Sequence, residues 1–236
     1  MNLNISAVAF DIDGTLYPAY RFNLRILPFL LRNFKFMAAF HKTRKEIRRL
    51  QLKNPDKVHK DFFDFQVEIF SQYTGKPRKE AEVFLNEEIY SGWKKRFAKI
   101  KPYSFVREAA ETLKKKGLKI GLLSDFLPEQ KNDVWGILPL CDAAIGSEQA
   151  GALKPSVIAF KALAEKLGEP CESILYVGNN LRYDVAGANA AGMYTACIKN
   201  RLFIFFYKFF NIFRRKKSAG PDIYFSNYRQ LLKFVL

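Results

Sequence analysis

The chain has 236 residues, of which 49% are hydrophobic and 26% charged, and its formal net charge at pH 7 is +16. This composition excludes a mainly disordered chain, and the length allows one sizeable domain or a core with a smaller inserted domain. Three scattered cysteines, Cys141, Cys171 and Cys197, lack metal-binding spacing, so we expect idle thiols in a reducing compartment.

The first segment, residues 5–10, is the apolar run ISAVAF, as expected for a strand buried on both faces of a parallel sheet. No basic region precedes this run and Asp11 follows it. We therefore interpret it as a strand and not as a signal peptide, and we expect a cytoplasmic protein.

Residues 17–100 have few strand signals and several basic or aromatic stretches with helical spacing. The residues Pro28, Pro55, Gly75 and Pro77 are expected to interrupt these helices. This pattern predicts an α-helical domain inserted directly after the first strand.

From residue 101 onward, short apolar runs alternate with helical patterns, which is typical of a parallel sheet with crossover helices. Helices are predicted at residues 104–117, 154–168 and 181–192. The helix at 154–168 is expected to begin at Pro155 and to end at Gly168. Strands are predicted at residues 118–124, 142–147, 173–178 and 193–198, and a short strand and an amphipathic helix follow at 221–236.

The predicted fold class is therefore α/β, with a Rossmann-like parallel sheet and flanking helices. Residues 1–16 and 101–236 are expected to form this core, and residues 17–100 the helical insert. A basic and aromatic segment at residues 199–219 interrupts the core near its end.

Two segments carry the whole excess of positive charge. Residues 18–60 hold twelve Lys or Arg against two acids, a net charge of +10, and residues 199–219 hold seven Lys or Arg and no acid. Such an asymmetry indicates a polyanionic partner or surface, whereas the remaining scaffold is close to neutral.

Polar side chains follow the first strand as Asp11-Ile12-Asp13-Gly14-Thr15. The carboxyl ends of parallel strands form the ligand-binding crevice of such sheets, and Gly14 allows a close backbone approach to a ligand. Of two carboxylates placed there, one can attack as a nucleophile or hold a metal while the other moves a proton. Taken alone, the same motif is equally compatible with part of a calcium loop or an ordinary turn.

Three further strand ends carry compatible side chains. Ser124 and Asp125 follow the strand at 118–124, where a hydroxyl and backbone amides can hold a phosphoryl oxygen. Lys154 can neutralise phosphate charge. Oxygen-rich side chains suited to magnesium follow the strand at 173–178, namely Asn179, Asn180 and Asp184. Individually, each of these residues has an ordinary explanation, such as a solvated lysine or a helix cap.

The order of these four loops resembles the haloacid dehalogenase-like superfamily, whose motifs are an Asp-x-Asp-x-Thr loop, a Ser or Thr, a Lys and an acidic loop. Residues 11–15, Ser124, Lys154 and residues 178–184 match these motifs in order. The resemblance covers residues 5–16 and 102–198 together with the closing strand and helix, and it implies that the insert is a helical cap.

The resemblance implies a phosphatase that acts on a phosphorylated small metabolite or lipid headgroup, with Mg²⁺ as cofactor. Asp11 would attack phosphorus and form an aspartyl phosphate, and Asp13 would act as acid and base. Thr15, Ser124 and Lys154 would position the phosphoryl group, with Gly14 and Asp125 binding substrate. Asp11, Asp13, Asn179 and Asp184 would hold the metal ion. Asp13 argues against the dehalogenase branch, which lacks this second aspartate, whereas a phosphomutase shares it.

One position departs from the family pattern. The last motif usually has an acid directly after the glycine, and Asn179 stands there. Because an amide oxygen carries no charge, we expect weaker magnesium binding unless Asp184 or the substrate compensates. The alternative is a catalytically impaired member of the fold that serves as a membrane-surface or scaffold module.

The segment at residues 201–217 combines aromatic and basic side chains, and its apolar run, residues 202–213, spans about 18 Å as a helix. A bilayer core is about 30 Å thick, so this run is too short to cross it. It can lie on an anionic membrane surface together with the basic insert, or it can pack against that insert. A nucleic-acid partner is not expected, because no recognised binding module is present.

Overall fold

The computed structural model describes residues 4–204 and 220–236. Within them, six parallel strands form one sheet in the order β3-β2-β1-β4-β5-β6. The strands are β1 Ala7–Phe10, β2 Lys119–Ser124, β3 Ala143–Gly146, β4 Ile174–Gly178, β5 Tyr194–Ile198 and β6 Ile223–Phe225. The predicted parallel α/β fold is therefore confirmed.

Helices connect the strands of this sheet and follow the last strand. The helices between β1 and β2 are α1 Ala19–Arg32, α2 Phe34–Lys53, α3 Phe62–Thr74, α4 Arg78–Phe84, α5 Gly92–Phe97 and α6 Val106–Lys115, with a π-helical segment, Leu85–Ser91, joining α4 to α5. The later helices are α7 Val157–Leu167, α8 Ala186–Ala190 and α9 Tyr228–Val235. Short 3₁₀ helices occur at Pro128–Lys131, Leu138–Leu140 and Cys171–Ser173.

Both faces of the sheet are buried, which explains why its strands are continuous apolar runs. Alternate residues of β1 enter different clusters: Val8 and Phe10 pack with residues of α6 and α9, whereas Ala7 and Ala9 pack with residues of α7. Successive side chains of a strand point to opposite faces, so a helix layer covers each side.

The region between β1 and α6 is helical, as the sequence predicts, and it has its own apolar clusters. The two ends of this region are hydrogen-bonded to each other, since Tyr103 N–H donates to Leu16 O at 2.9 Å. Arg21 Nη1 donates to Lys101 O at 2.7 Å at the same place. The chain therefore leaves and re-enters the sheet region at adjacent points.

Pro28 was expected to interrupt a helix, and this expectation is wrong, because α1 continues through it. A proline removes one N–H donor, which frees the carbonyl of the residue four positions earlier. That residue is Leu24, on an exposed part of the helix where water can solvate the carbonyl.

The expectation that Pro155 begins a helix is also wrong. Ser156 caps α7, its hydroxyl accepting from Ile158 N–H, and Pro155 lies outside the helix.

The helix expected at residues 181–192 begins as a π-helical turn, Leu181–Val185, that continues as α8. Asn180 caps this turn by accepting from the N–H groups of Arg182 and Tyr183. Residues 201–204 are helical, and most of the segment at 201–217 lies outside the described residues. Within the described part of the chain, no helix combines the length and apolarity needed to cross a membrane.

Candidate active site

Three neighbouring strands bring their carboxyl ends together at the centre of the sheet. Asp11 follows β1, Ser124 ends β2 and Asn179 follows β4. Asp11 N–H donates to Val177 O at 2.9 Å, which continues the β1–β4 pairing to the edge of the sheet. Ligands of parallel α/β sheets bind at this edge, where the strand order changes direction around β1.

Lys154 joins two buried carboxylates at this edge. Its Nζ lies 2.7 Å from Asp11 Oδ1 and 2.7 Å from Asp184 Oδ1. Tyr176 Oη lies 3.3 Å from the same ammonium. The other Asp11 oxygen accepts from Thr15 Oγ1 at 2.7 Å. Asp11 is therefore held by one cation and one hydroxyl, which fixes the direction of its carboxylate.

The charges of this group strongly affect one another. Burial, together with the Asp184 carboxylate, outweighs the opposing effect of Lys154 and raises the pKa of Asp11 to about 7. For Lys154, burial lowers the pKa, but the Asp11 and Asp184 carboxylates outweigh it and raise the pKa well above its ordinary value. Lys154 is consequently a fixed cation, whereas Asp11 needs more positive charge nearby to be fully ionised at neutral pH.

Asp13 is the half-exposed second carboxylate of the loop. Its Oδ1 accepts from Tyr17 Oη at 2.6 Å, and its Oδ2 accepts from Ser124 Oγ at 3.2 Å. Burial raises the pKa of Asp13, but the ammonium of Lys131 and the bond from Tyr17 outweigh burial and lower it overall. Asp13 therefore contacts the end of β2 through Ser124.

Lys131 is a buried site residue that the sequence analysis missed. Its Nζ lies 2.9 Å from Asp13 Oδ2 and 2.9 Å from Ser124 Oγ. It also lies over the ring of Phe97 in the helical insert, 5.3 Å from the ring centroid. Lys131 ends the short 3₁₀ helix that follows β2, and a lysine there has no distinguishing sequence signal, so only the fold reveals its position.

Two glycines permit close contacts at the site. Gly14 has φ +83°, and a Cβ built on it would lie 2.1 Å from Nδ2 of the Asn179 side chain. A Cβ on Gly178 would lie 2.4 Å from Asp184 Cβ. Asp184 Oδ2 accepts from the N–H groups of Asn179 and Asn180 at 3.1 and 2.9 Å. The last motif is therefore a tight loop that packs against the Asp11–Thr15 loop.

The carboxylate of Asp125, unlike its neighbours, binds the helical insert. Arg48 Nη2 lies 2.5 Å from Asp125 Oδ2, and Arg44 Nη2 lies 3.5 Å from the same oxygen. Its other oxygen accepts from Ser147 Oγ at 2.9 Å and from Lys154 N–H at 3.2 Å. Both carboxylate oxygens of Asp125 are therefore engaged in these bonds. Its expected role in substrate binding stays a prediction, and it would fall to the backbone N–H of Asp125.

The residues expected to hold a metal ion are oxygen donors of the kind that magnesium prefers. Among residues 4–204 and 220–236, no group of three or more His, Cys, Asp or Glu is arranged to hold a metal. Of the four expected ligands, Asn179 is an amide and not one of these residue types, and the Asp13 carboxylate contacts Lys131. The Asp11 and Asp184 carboxylates nevertheless share a single cation, Lys154, so the pair carries a net negative charge. A divalent cation with a neutral Asn179 ligand fits this donor set.

A cavity of about 280 Å³ lies between the Asp11–Thr15 loop and the helical insert. Asp13, Gly14 and Asp125 line it from the sheet. Aromatic side chains line it from the insert and from the loop after β2, namely Phe22, Trp93, Phe97 and Phe126. The space beside Asp13 is therefore partly enclosed and mostly apolar on the insert side.

A family model describing haloacid dehalogenase-like hydrolases matches residues 5–192 of the chain. The chain belongs to this family. The match extends from β1 to the end of α8 and includes the four loops on which the recognition from the sequence rests. That recognition is confirmed.

Two curated relatives align along most of the chain. Glyceraldehyde 3-phosphate phosphatase of Methanopyrus kandleri is 24% identical, over 98% of this chain and 97% of its own length. Ribulose-1,5-bisphosphate 5-phosphatase of Halopiger xanaduensis is 26% identical, over 80% of this chain and 83% of its own. With the Asp11 and Asp13 pair, these relatives identify the hydrolase as a phosphatase, as the sequence predicts.

Solved structures of the family share the fold at low sequence identity. A phosphatase from Thermococcus onnurineus superposes with a TM-score of 0.59 and 22% identity, covering 98% of both chains. L-2-haloacid dehalogenase from Xanthobacter autotrophicus superposes with a TM-score of 0.62 and 19% identity, also covering 98% of both. At these identities the likeness supports the fold and leaves the reaction to be argued from the site.

Proposed function

We propose that the chain is a magnesium-dependent phosphatase that hydrolyses a phosphorylated small molecule through an aspartyl-phosphate intermediate. The observation that carries this proposal is the buried Asp11 carboxylate held between Lys154 and Thr15 at 2.7 Å each, with Asp13 two residues away in the same loop. Phosphoryl transfer depends mainly on positioning and charge, which such a set supplies.

In the first step, an oxygen of Asp11 attacks phosphorus and the bond to the ester oxygen breaks. Protonated Asp13 gives its proton to the leaving oxygen, so the alcohol departs neutral. In the second step, Asp13 takes a proton from water as that water attacks phosphorus, and the bond to Asp11 breaks to release inorganic phosphate. Lys154, Ser124 and the backbone of the Asp11–Thr15 loop would hold the phosphoryl oxygens.

Magnesium would be held by the carboxylates of Asp11 and Asp184 and by the Asn179 amide oxygen, and by Asp13 as the sequence predicts. When bound, the ion supplies positive charge to the phosphoryl oxygens and keeps Asp11 ionised. This second effect is supported by the pKa of Asp11, which burial and the Asp184 carboxylate raise to about 7 without the ion.

We also propose that residues 17–100 act as a cap on a core formed by residues 1–16 and 101–236. The cavity of about 280 Å³ between them supports this division, since its walls come from both parts. Its aromatic side would exclude water and select the organic part of the substrate. The two curated relatives act on phosphorylated sugars or sugar-like metabolites by name, which favours a small phosphorylated metabolite over a lipid headgroup.

The decisive experiment compares wild type with Asp11→Asn in magnesium-dependent hydrolysis of an artificial phosphoester. We expect the variant to lose activity by at least about a thousandfold, because the amide cannot attack phosphorus. Asp56→Asn, at an exposed loop position, is the matched control and should be fully active. Equal activity of Asp11→Asn and wild type would refute the nucleophile.

The products of the same reaction distinguish the phosphatase from two alternatives that the sequence left open. A phosphomutase would yield an isomeric phosphate ester, whereas a phosphatase yields free inorganic phosphate. A catalytically impaired scaffold protein would show no magnesium-dependent hydrolysis even with a panel of phosphorylated metabolites. The expected cytoplasmic location and the membrane contact through residues 201–217 stay predictions, and residues 205–217 of that contact lie outside the described chain.

A further inference from the structure

Helix α1 carries a row of large apolar side chains on its outer surface. Tyr20, Leu24, Leu27 and Leu31 are 59%, 65%, 45% and 71% exposed, and Phe34, just after the helix, is 63% exposed. The four residues of α1 are spaced alternately by four and three positions, so they lie along one side of the helix, and Phe34 is the first residue of α2. We call these five residues the apolar stripe. An exposed apolar row of this size is typical of an interaction surface.

The apolar stripe is not the packing face of α1. That face consists of Phe22, Ile26 and Phe29, which are buried at 8%, 5% and 7% exposure. Phe22 stacks on Phe97 with ring centroids 4.4 Å apart. The helix therefore already buries a complete apolar face, and the core does not explain the second one.

Positive charge borders the apolar stripe on one side. Arg25 and Arg32, seven residues apart, are exposed and lie on the same side of α1. With Arg96 they line a surface groove of about 410 Å³, in which Glu88 is the acidic residue. No acid occurs between Asp13 and Glu46, so the whole of α1 carries only positive charge.

We propose that α1 docks the protein on an anionic lipid surface, with the apolar stripe in the acyl region and the arginine groove at the headgroup phosphates. Helices that combine an apolar face with basic flanks bind in this way in the plane of the membrane. A second copy of the chain fits less well, because pairing two such helices would bring their arginines together without an acid of α1 to neutralise them.

Helix α1 lies next to the candidate active site, so docking of α1 would also fix where that site lies. The cavity beside Asp13 is lined by Ala19 and Asn23 of α1. Docking would therefore hold the candidate active site close to the lipid surface. The inference does not rest on the proposed function, since it concerns the outer side of the helix.

The test is sedimentation of the full chain with vesicles of phosphatidylcholine, with or without phosphatidylglycerol. We expect binding to the anionic vesicles, weakened by salt, and little binding to phosphatidylcholine alone. The combined variant Leu24→Ser, Leu27→Ser and Leu31→Ser should partition at least about tenfold less, because it removes apolar area from the contact. Leu52→Ser is the matched control, since Leu52 is 72% exposed near the end of α2.

Hydrolysis of a soluble phosphoester is measured on every variant, so that loss of lipid binding is separated from loss of the site. Absence of wild-type binding, or undiminished binding of the triple variant, would overturn the proposal. So would a dimer in size-exclusion chromatography that the triple variant converts to a monomer without changing vesicle binding. If circular dichroism shows the triple variant unfolded, Arg25→Gln with Arg32→Gln decides, because unchanged binding to anionic vesicles would also contradict it.

Discussion

At the scale of single residues, the candidate site is built from shared charges. Lys154 serves two carboxylates at 2.7 Å each, and Lys131 contacts both Asp13 and Ser124 at 2.9 Å. Lys154 contacts Asp11 and Lys131 contacts Asp13, so the two carboxylates of the loop are in different electrostatic environments. Two carboxylates in different environments are suited to different roles.

We expect Lys131 to control the pKa of Asp13 and, through it, the pH dependence of activity. Lys131→Met removes the ammonium that lowers the pKa of Asp13, so that pKa should rise. Since Asp13 must be protonated to release the alcohol, activity falls as pH rises through its pKa. The descending limb of the plot of kcat/KM against pH should therefore move to higher pH, so that less of the maximal kcat/KM is lost at neutral pH. Lys115→Met, at an exposed position, is the control, and an unchanged profile would contradict the role.

Asn179 is expected to set the affinity for magnesium. Asn179→Asp adds a charged oxygen ligand, so the magnesium concentration for half-maximal activity should fall about tenfold. Without the ion, the added charge lies near Asp11 and Asp184, and the melting temperature should decrease. Both quantities are measured in a magnesium titration, with Asn54→Asp at an exposed position as the control. An unchanged magnesium requirement would show that Asn179 is not a ligand.

At the scale of elements, α2 connects the helical insert to the sheet through buried arginines. Arg44 pairs with Glu148, and Arg44 also donates to Gln66 of α3 at 2.9 Å. Tyr90 completes the network by donating to Glu148 at 2.7 Å. Arg48 donates to Lys154 O at 2.8 Å. The insert is therefore fixed beside the lysine that holds Asp11.

Asp125 is expected to be the main anchor of this network. Asp125→Asn should lower the free energy of unfolding at neutral pH by about 3–5 kcal/mol, because it leaves the mostly buried Arg48 without its acidic partner and removes one of the two acids beside Arg44. Burial raises the pKa of Asp125, but Arg48 and Arg44 outweigh it and hold the pKa well below its ordinary value. The stabilisation is consequently present above the unfolded-state pKa of about 3.9 and is lost as the pH falls below it.

Urea unfolding of wild type and Asp125→Asn at several pH values measures this effect. The difference between the two proteins should be largest near neutrality and should shrink in acid, whereas Asp56→Asn should resemble wild type throughout. A difference independent of pH would indicate that lost packing, and not lost charge, accounts for the destabilisation.

At the scale of the whole molecule, the chain combines a nearly neutral sheet region with two basic segments. The net charge of +10 in residues 18–60 falls mainly on α1 and α2, which lie directly beside the candidate active site. Part of this charge faces inward, since Arg44 forms a buried pair with Glu148 and Arg48 a partly buried pair with Asp125. Most of the rest, including Arg25 and Arg32, is exposed. The sequence alone cannot divide the charge in this way.

The amino-acid sequence by itself determined the parallel α/β fold, the helical insert and the order of the four loops. These features follow from apolar runs, helical periodicity and the grouping of polar residues at strand ends, all of which are local in the chain. The apolar run of β1 and the motif directly after it are sufficient to locate Asp11 and Asp13 at the edge of the sheet. Local patterns also predicted Gly168 as the end of α7, where its φ of +64° favours glycine.

Only the tertiary structure decided which groups meet. Lys131 reaches Asp13 and Asp125 binds Arg48 because elements distant in sequence pack together, and no periodicity encodes such pairs. The continuation of α1 through Pro28 likewise depends on which side of the helix faces water. The apolar stripe is visible as a surface only once Phe22, Ile26 and Phe29 are seen to occupy the opposite, buried face, because helical spacing alone assigns both rows to a core.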